Sequence, residues 1–243
     1  MSQAHNPFRT VLVTRPAHQA ASLMTALALR GYTAVAAPVL EMHPTDVAIP
    51  KGDFDALAFT SANGAAAFAA RDPRRDIPVF AVGPATAAAA RKAHFEWIMA
   101  GDQGAEALAG IIAGRLAAGS RVLHPAGRDV AVDLGAALAQ SGIAVDRVTL
   151  YAMDKAAALS DDALRAIERG CIALLYSRRS AEALVQLADE SGVSLARTIG
   201  VLPLQTDFRS DRFRSVMSIG TTTTGHDDLI GILDSLEAVT RQL

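Results

Sequence analysis

The chain has 243 residues, of which 51% are hydrophobic and 20% charged, with a formal net charge of −2. That composition excludes a disordered chain and suffices for one large domain, or two of roughly 100–120 residues each. A charge this close to neutral gives no global basic field for nucleic acid or an anionic membrane, so a polyanionic ligand would need local donors.

The opening residues Met1 to Pro7 show no basic stretch followed by an apolar one, so no secretory signal is read. Val11-Leu12-Val13 reads as a short buried strand, ended by Pro16 at the first turn of a helix. Leu23 and Leu27 give that helix its apolar stripe, and Gly31 stands where a C-terminal cap is expected. Ala56–Phe59 and Val79–Val82 are further apolar runs, each followed by a Ser/Thr/Gly turn and an Ala-rich helical stretch. The most Ala-rich run, Phe80 to Ala90, is far short of the roughly 20 residues that a membrane span needs, so no membrane partner is expected. Ser160 is read as an N-cap with Asp161 and Asp162 in the first turn, Leu164 and Ile167 on one face, and Gly170 as the stop. The strand Cys171–Tyr176 follows. Cys171 is the single cysteine, which excludes an internal disulfide; it is read as an inert core residue in a reducing cytoplasm. Alternating strands and helices with continuously apolar strands imply an α/β fold, with parallel sheets covered by helices on both faces.

The chain is also duplicated. Val11–Met42 aligned with Val122–Met153 at an offset of 111 gives nine identities in 32 positions, among them Leu12/Leu123, Leu23/Leu134, Leu27/Leu138 and Gly31/Gly142. Phe59-Thr60-Ser61 returns as Leu175-Tyr176-Ser177 at 116, and Ala81-Val82-Gly83 as Thr198-Ile199-Gly200 at 117. Gly104–Ile111 returns as Gly225–Ile232 at 121. Four blocks in one order, with offsets that only grow, read as a tandem duplication with small insertions.

Open parallel sheets place ligands in the turns beyond the carboxyl ends of their strands. Those turns here are Thr14-Arg15-Pro16, Thr60-Ser61-Ala62-Asn63-Gly64, Gly83-Pro84-Ala85-Thr86, Pro125-Ala126-Gly127-Arg128-Asp129, Ser177-Arg178-Arg179-Ser180 and Gly200-Val201-Leu202. They are rich in hydroxyls, glycines and arginines and nearly free of acid. Helix N-terminal N–H groups with short hydroxyl side chains bind anions, so several carboxylates or phosphates are the expected ligand groups. The plainer alternative is that Ser61, Thr86 and Ser177 only cap helices. No G-x-G-x-x-G follows a strand, and no phosphate loop, H-E-x-x-H or G-x-S-x-G occurs, so neither metal nor cofactor is expected. His124, after a buried strand, is read as a hydrogen-bonded residue behind the site, the alternative being contact with ligand. An enzyme of this kind would hold a reactive substrate and supply one proton donor.

The same blocks resemble the uroporphyrinogen-III synthase family over nearly the whole chain. Val11–Pro16 with Gln19-Ala20 and the helix to Gly31 resembles its N-terminal strand and helix, and Pro38-Val39-Leu40 its following strand. Phe59–Gly64 matches its Thr-Ser turn, Val79–Ala87 its Val-Gly-x-x-Thr-Ala block, and Thr149-Leu150-Tyr151 its tyrosine segment. Gly104–Leu108, Gly127-Arg128 and Ser177 also correspond. Three places depart: Gly200-Val201-Leu202-Pro203-Leu204 lacks the hydroxyls of the second glycine block, His94-Phe95 stands where a glycine ends a helix, and Thr221–Thr224 precedes the last helix.

The resemblance implies two α/β domains joined by a two-stranded linker, one discontinuous (1–37 with 156–243) and one continuous (43–149), with the active cleft between them. It implies a small-molecule substrate, hydroxymethylbilane, a linear tetrapyrrole with eight carboxylates, and a cofactor-free lyase of tetrapyrrole biosynthesis. Water would leave the hydroxymethyl carbon to give an azafulvene. The terminal pyrrole would then attack through its substituted carbon, and the spiro intermediate would reclose as uroporphyrinogen III. Tyr151 would be the catalytic residue, assisting departure of the hydroxyl. Arg15, Thr60, Ser61, Ala62, Asn63, Gly83, Thr86, Gly127, Arg128, Ser177, Arg178 and Gly200 would bind substrate. A cytoplasmic monomer is expected, with no nucleic-acid partner and with transient handover from hydroxymethylbilane synthase. The competing readings are a non-catalytic two-domain binding protein for an anionic small molecule and a phosphosugar or nucleotide enzyme.

Overall fold

The computed structural model describes residues 9–101, 104–203, 206–219 and 229–235. The Thr221–Thr224 tract and Gly225–Asp228 of the last repeat block lie outside the described residues. The strands are β1 (Thr10–Val13), β2 (Thr33–Ala36), β3 (Leu40–Pro44), β4 (Ala56–Phe59), β5 (Val79–Ala81), β6 (Ile98–Ala100), β7 (Arg121–Gly127), β8 (Ala144–Lys155), β9 (Cys171–Leu174), β10 (Thr198–Pro203) and β11 (Ser215–Ile219). The helices are α1 (Ala17–Leu29), α2 (Ala62–Ala69), α3 (Pro84–Lys92), α4 (Ala105–Ala113), α5 (Leu134–Leu138), α6 (Asp161–Arg169) and α7 (Arg178–Glu190), with residues 229–235 also helical.

Two compact units divide the chain: unit 1 is Met1–Glu41 with Asp154–Leu243, and unit 2 is Met42–Met153. The divisions fall inside β3 and β8, which are hydrogen-bonded neighbours. Unit 1 carries the sheet β11-β10-β9-β1-β2, parallel at every pairing. Unit 2 carries β3-β8-β7-β4-β5-β6, parallel from β8 to β6. This is the expected α/β class.

Strand alternation feeds a core on each face. In β9, Cys171 and Ala173 pack with Leu184 and Leu187 of α7 and Ile167 of α6, while Ile172 and Leu174 pack with Leu23 and Leu27 of α1. In β4, Leu57 and Phe59 meet Phe68 of α2, and Ala56 and Ala58 meet Leu108 and Ile112 of α4. Truncating one such leucine to alanine removes about 2–5 kcal/mol. Ser160 caps α6 through Ala163 N–H at 3.3 Å, and Gly170 ends it at φ +93°. His94 follows the end of α3 at φ +65°, the left-handed position that glycine adopts most easily, and Phe95 N–H closes the turn onto Ala90 O at 3.1 Å.

Register corrects three sequence expectations. The strand after α1 is Thr33–Ala36, not Pro38–Leu40: it pairs residue for residue with β1, and Pro38, lacking an N–H, follows its end. Arg121–Gly127 is one strand, so the turn begins after Gly127 and not at Pro125. Pro125 is tolerated there because β4 pairs β7 only at Val122 and Leu123. Finally, Gly200 is not at a strand end. It lies within β10 opposite Ala173, the repeat partner of Leu57, and Leu57 itself pairs with Val79. The repeat partner of Gly200 is therefore Val79, and that block returns at an offset of 121, four residues from the offset that aligns the glycines.

Candidate functional site

A cavity of about 280 Å³ opens in unit 2, lined by Thr60, Ser61, Gly127 and Tyr151 with Val82, Ala105 and the loop Asp129–Val132. Three pieces of local structure build it. The first is the end of β4. Ser61 takes extended dihedrals and caps α2 by accepting the Gly64 N–H at 2.9 Å. Gly64 has to be glycine: a Cβ there would sit 2.6 Å from the Pro125 carbonyl oxygen.

The second is an irregularity between β7 and β8. Register runs from Arg121↔Ala144 to Ala126↔Thr149, then skips one residue so that Gly127 faces Tyr151. A Cβ on Gly127 would lie 2.8 Å from the Tyr151 ring, so the missing side chain is what admits the ring. Arg128 N–H donates to Tyr151 O at 2.8 Å, and Arg147 holds the Gly127 and Arg128 carbonyls at 2.8 and 2.6 Å. Tyr151, 7% exposed, meets Ser61 Oγ through its hydroxyl at 2.8 Å. Ser61 is thus more than a cap.

The third piece is His124. It is buried at 1% exposure, and its Nε2 lies 2.9 Å from Thr60 Oγ1. Burial lowers its pKa to about 4, with the nearby Arg147 charge acting in the same direction and Asp133 opposing, so the imidazole is neutral at physiological pH. The sequence reading put His124 behind the site but missed its partner; the available signal was that Val13 holds its place in the repeat.

The other expected residues are placed as follows. Ala62 and Asn63 form the first turn of α2, where Asn63 Nδ2 contacts Met153 Sδ at 3.9 Å. Gly83 is the N-cap of α3, without a side-chain cap, and Thr86 is a buried residue within that helix rather than a cap. Arg128 is exposed and pairs loosely with Asp129 at 3.9 Å. None of these five lines the cavity. In unit 1, Arg15 stacks on the Tyr176 ring with its guanidinium carbon 3.9 Å from the centroid. Burial raises the Tyr176 phenol pKa, and Arg15 partly offsets this. Ser177 caps α7 in a capping box with Ser180 at 3.1 Å, and Arg178 pairs with Glu182 at 2.7 Å on the exposed face of that helix. Gly200 packs against Leu175 and Phe213, with 3.2 Å from a built Cβ to Leu175 Cδ1. Cys171 is buried, and its thiol is pushed up to about 12, as an inert core thiol would be. Among the described residues no helix is long and apolar enough to cross a membrane.

Comparison with known proteins supplies the family. No curated protein sequence matches the chain. A uroporphyrinogen-III synthetase structure from Helicobacter pylori is similar over 80% of this chain and 83% of its own, with 17% identity and a TM-score of 0.56. A mutant uroporphyrinogen III synthase from Thermus thermophilus is similar over 94% and 99%, with 16% identity and a TM-score of 0.52. At these identities the two structures support the fold. The family model described as uroporphyrinogen-III synthase HemD matches residues 21–225. By that match, the chain belongs to the uroporphyrinogen-III synthase HemD family.

Proposed function

We propose that this protein is an active uroporphyrinogen-III synthase, a cofactor-free lyase that cyclises hydroxymethylbilane with inversion of its last ring. The observation that carries the proposal is the Tyr151–Ser61 hydroxyl pair on the wall of the unit 2 cavity. Ser61 Oγ has one hydrogen and two lone pairs, and Gly64 N–H occupies one lone pair. When Ser61 gives its hydrogen to the phenol oxygen, the Tyr151 hydrogen is directed elsewhere and can pass to a leaving hydroxyl. The hydroxyl departs as water, the C–O bond electrons leaving with it. The proton lost by Tyr151 is balanced by the one the pyrrole nitrogen releases as the neutral azafulvene forms. Attack by the substituted pyrrole carbon, fragmentation and reclosure then need enclosure more than further acid–base groups.

A substrate with eight carboxylates calls for donors, and the start of α2 at Ala62 and Asn63 supplies backbone N–H groups beside Thr60 and Ser61. Gly83, Thr86, Gly127 and Arg128 in unit 2, with Arg15, Ser177, Arg178 and Gly200 in unit 1, complete the proposed substrate-binding set. Gly200, lacking a side chain, offers only its backbone to that set. In the same proposal the enzyme is a cytoplasmic monomer that receives substrate from hydroxymethylbilane synthase.

The test is to incubate the purified protein with enzymatically generated hydroxymethylbilane and separate the uroporphyrinogen isomers by chromatography. Isomer III in excess is expected. Only isomer I, the product of unassisted closure, would overturn the proposal, and tight substrate binding with only isomer I would favour a binding protein.

A further inference from the structure

The duplication contains its own control for His124. Leu57 pairs with Leu123 in unit 2, and their repeat partners Ala173 and Leu12 pair in unit 1. The two sheets therefore superpose in register: His124, one residue beyond Leu123, corresponds to Val13, and Thr60, three residues beyond Leu57, corresponds to Tyr176. In unit 1 that site is apolar on the β1 side: Val13 is fully buried among Leu23, Ile172 and Leu174. The fold thus closes this strand end with a valine and has no need of a buried imidazole. Burying a polar ring costs free energy unless it is hydrogen-bonded, so its presence in one copy only asks for a local use.

We propose that His124 is a positioning residue: its Nε2–H donates to Thr60 Oγ1 and so turns the Thr60 hydrogen into the cavity, toward a substrate carboxylate. The inference rests on the synthase reading for the identity of the anion. Thr60 Oγ1 lies 2.9 Å from the imidazole nitrogen and Thr60 lines the cavity, while His124 itself is 1% exposed and stands behind that lining. A threonine hydroxyl has one hydrogen. With the imidazole as acceptor, that hydrogen would point inward and Thr60 would show a carboxylate only lone pairs; with the imidazole as donor, it is released outward. The charged groups acting on the ring are Arg147, which disfavours its protonation, and Asp133, which favours it. A neutral ring can hold one tautomer through the physiological range, so the hydroxyl direction stays fixed without placing a second cation behind the site.

Two measurements test this. Imidazole nitrogen shifts of the wild-type protein, read by NMR from pH 6 to 8, should report His124 as neutral with the proton on Nε2. A proton on Nδ1, or a charged ring, would overturn the proposal whatever the enzyme does. Kinetics then use His124→Met, which keeps bulk without a donor, His124→Gln, whose amide can donate from a similar place, Thr60→Val and the double variant. His124→Met should raise KM for hydroxymethylbilane about tenfold with a smaller change in kcat, the worth of one charge-assisted hydrogen bond. His124→Gln should restore most of that loss, and adding His124→Met to Thr60→Val should cost nothing further. Wild-type KM in a folded His124→Met protein, equal impairment in the Gln variant, or additive losses would each overturn it. Should wild type yield only isomer I, the synthase reading fails while the tautomer measurement still decides the hydroxyl's direction.

Discussion

The two units are copies with the same strand order: β11-β10-β9-β1-β2 in one matches β6-β5-β4-β7-β8 in the other. Each sheet combines a piece from both sequence repeats, because the chain leaves unit 1 after its first βαβ segment and returns after the second repeat has supplied β7 and β8 to unit 2. Yet their strand ends differ in chemistry. In unit 2 the cap serine meets a phenol, the residue before it meets an imidazole, and a glycine makes room for the phenol ring. In unit 1 the equivalent Ser177 is closed into a capping box, and Tyr176 lies under Arg15. Shared positions show what the fold needs. Positions that differ between copies show where one unit has been given other work.

The sharpest way to break this comparison is Gly127→Val. With no room beside the ring, Tyr151 must move, and misplacing one reacting group by about an ångström costs on the order of 100-fold in kcat. The check is kcat for isomer III together with a melting curve; an intact rate would show that the ring position is immaterial. Next comes the serine pair. Ser61→Ala and Ser177→Ala each remove an N-cap worth about 1 kcal/mol, so both should lower the melting temperature similarly. Only Ser61→Ala should also lower kcat, by about tenfold, since one hydrogen bond to the phenol is lost. Equal kinetic losses would make Ser61 no different from its copy.

His124 is tested through acid stability, a separate readout. The folded-state pKa of His124 is lowered below the ordinary 6.5 to about 4, so the unfolded chain binds more protons between those values. Stability contributed by the neutral ring is complete above pH 6.5 and declines as pH falls toward 4. His124→Gln should flatten that part of the curve by roughly 2–3 kcal/mol, measured by denaturant unfolding at pH 7 and 4.5. An unchanged slope would mean that the imidazole is not buried neutral.

Much of the fold was legible because it rests on local rules. Apolar runs of four or five residues, Ser160 and Gly170 at the ends of α6, and the repeat of Leu12, Leu23 and Leu27 all follow from burial and capping. What escaped depended on register. Gly200 looked like Gly83 because each follows a β-branched apolar residue, Ile199 and Val82, but inter-strand pairing places it four residues earlier in the repeat. Thr33–Ala36 was overlooked because Ala-rich residues carry little strand signal until β1 lies beside them. Tyr151, Thr60 and Ser61 could be named from family resemblance, and Thr60 and Ser61 also from their place at a strand end. Their joining could not: the one-residue shift at Gly127 and the bond from β7 to Thr60 are tertiary facts.

The most direct measurement compares the two tyrosines. Steady-state kinetics on hydroxymethylbilane should show Tyr151→Phe lowering kcat about 100-fold, the usual worth of one general acid, with some isomer III still formed because the substrate is itself reactive. Tyr176→Phe should leave kcat at the wild-type value. A folded Tyr151→Phe protein with wild-type kcat, or equal losses from both substitutions, would contradict the assignment of the chemistry to the unit 2 cavity.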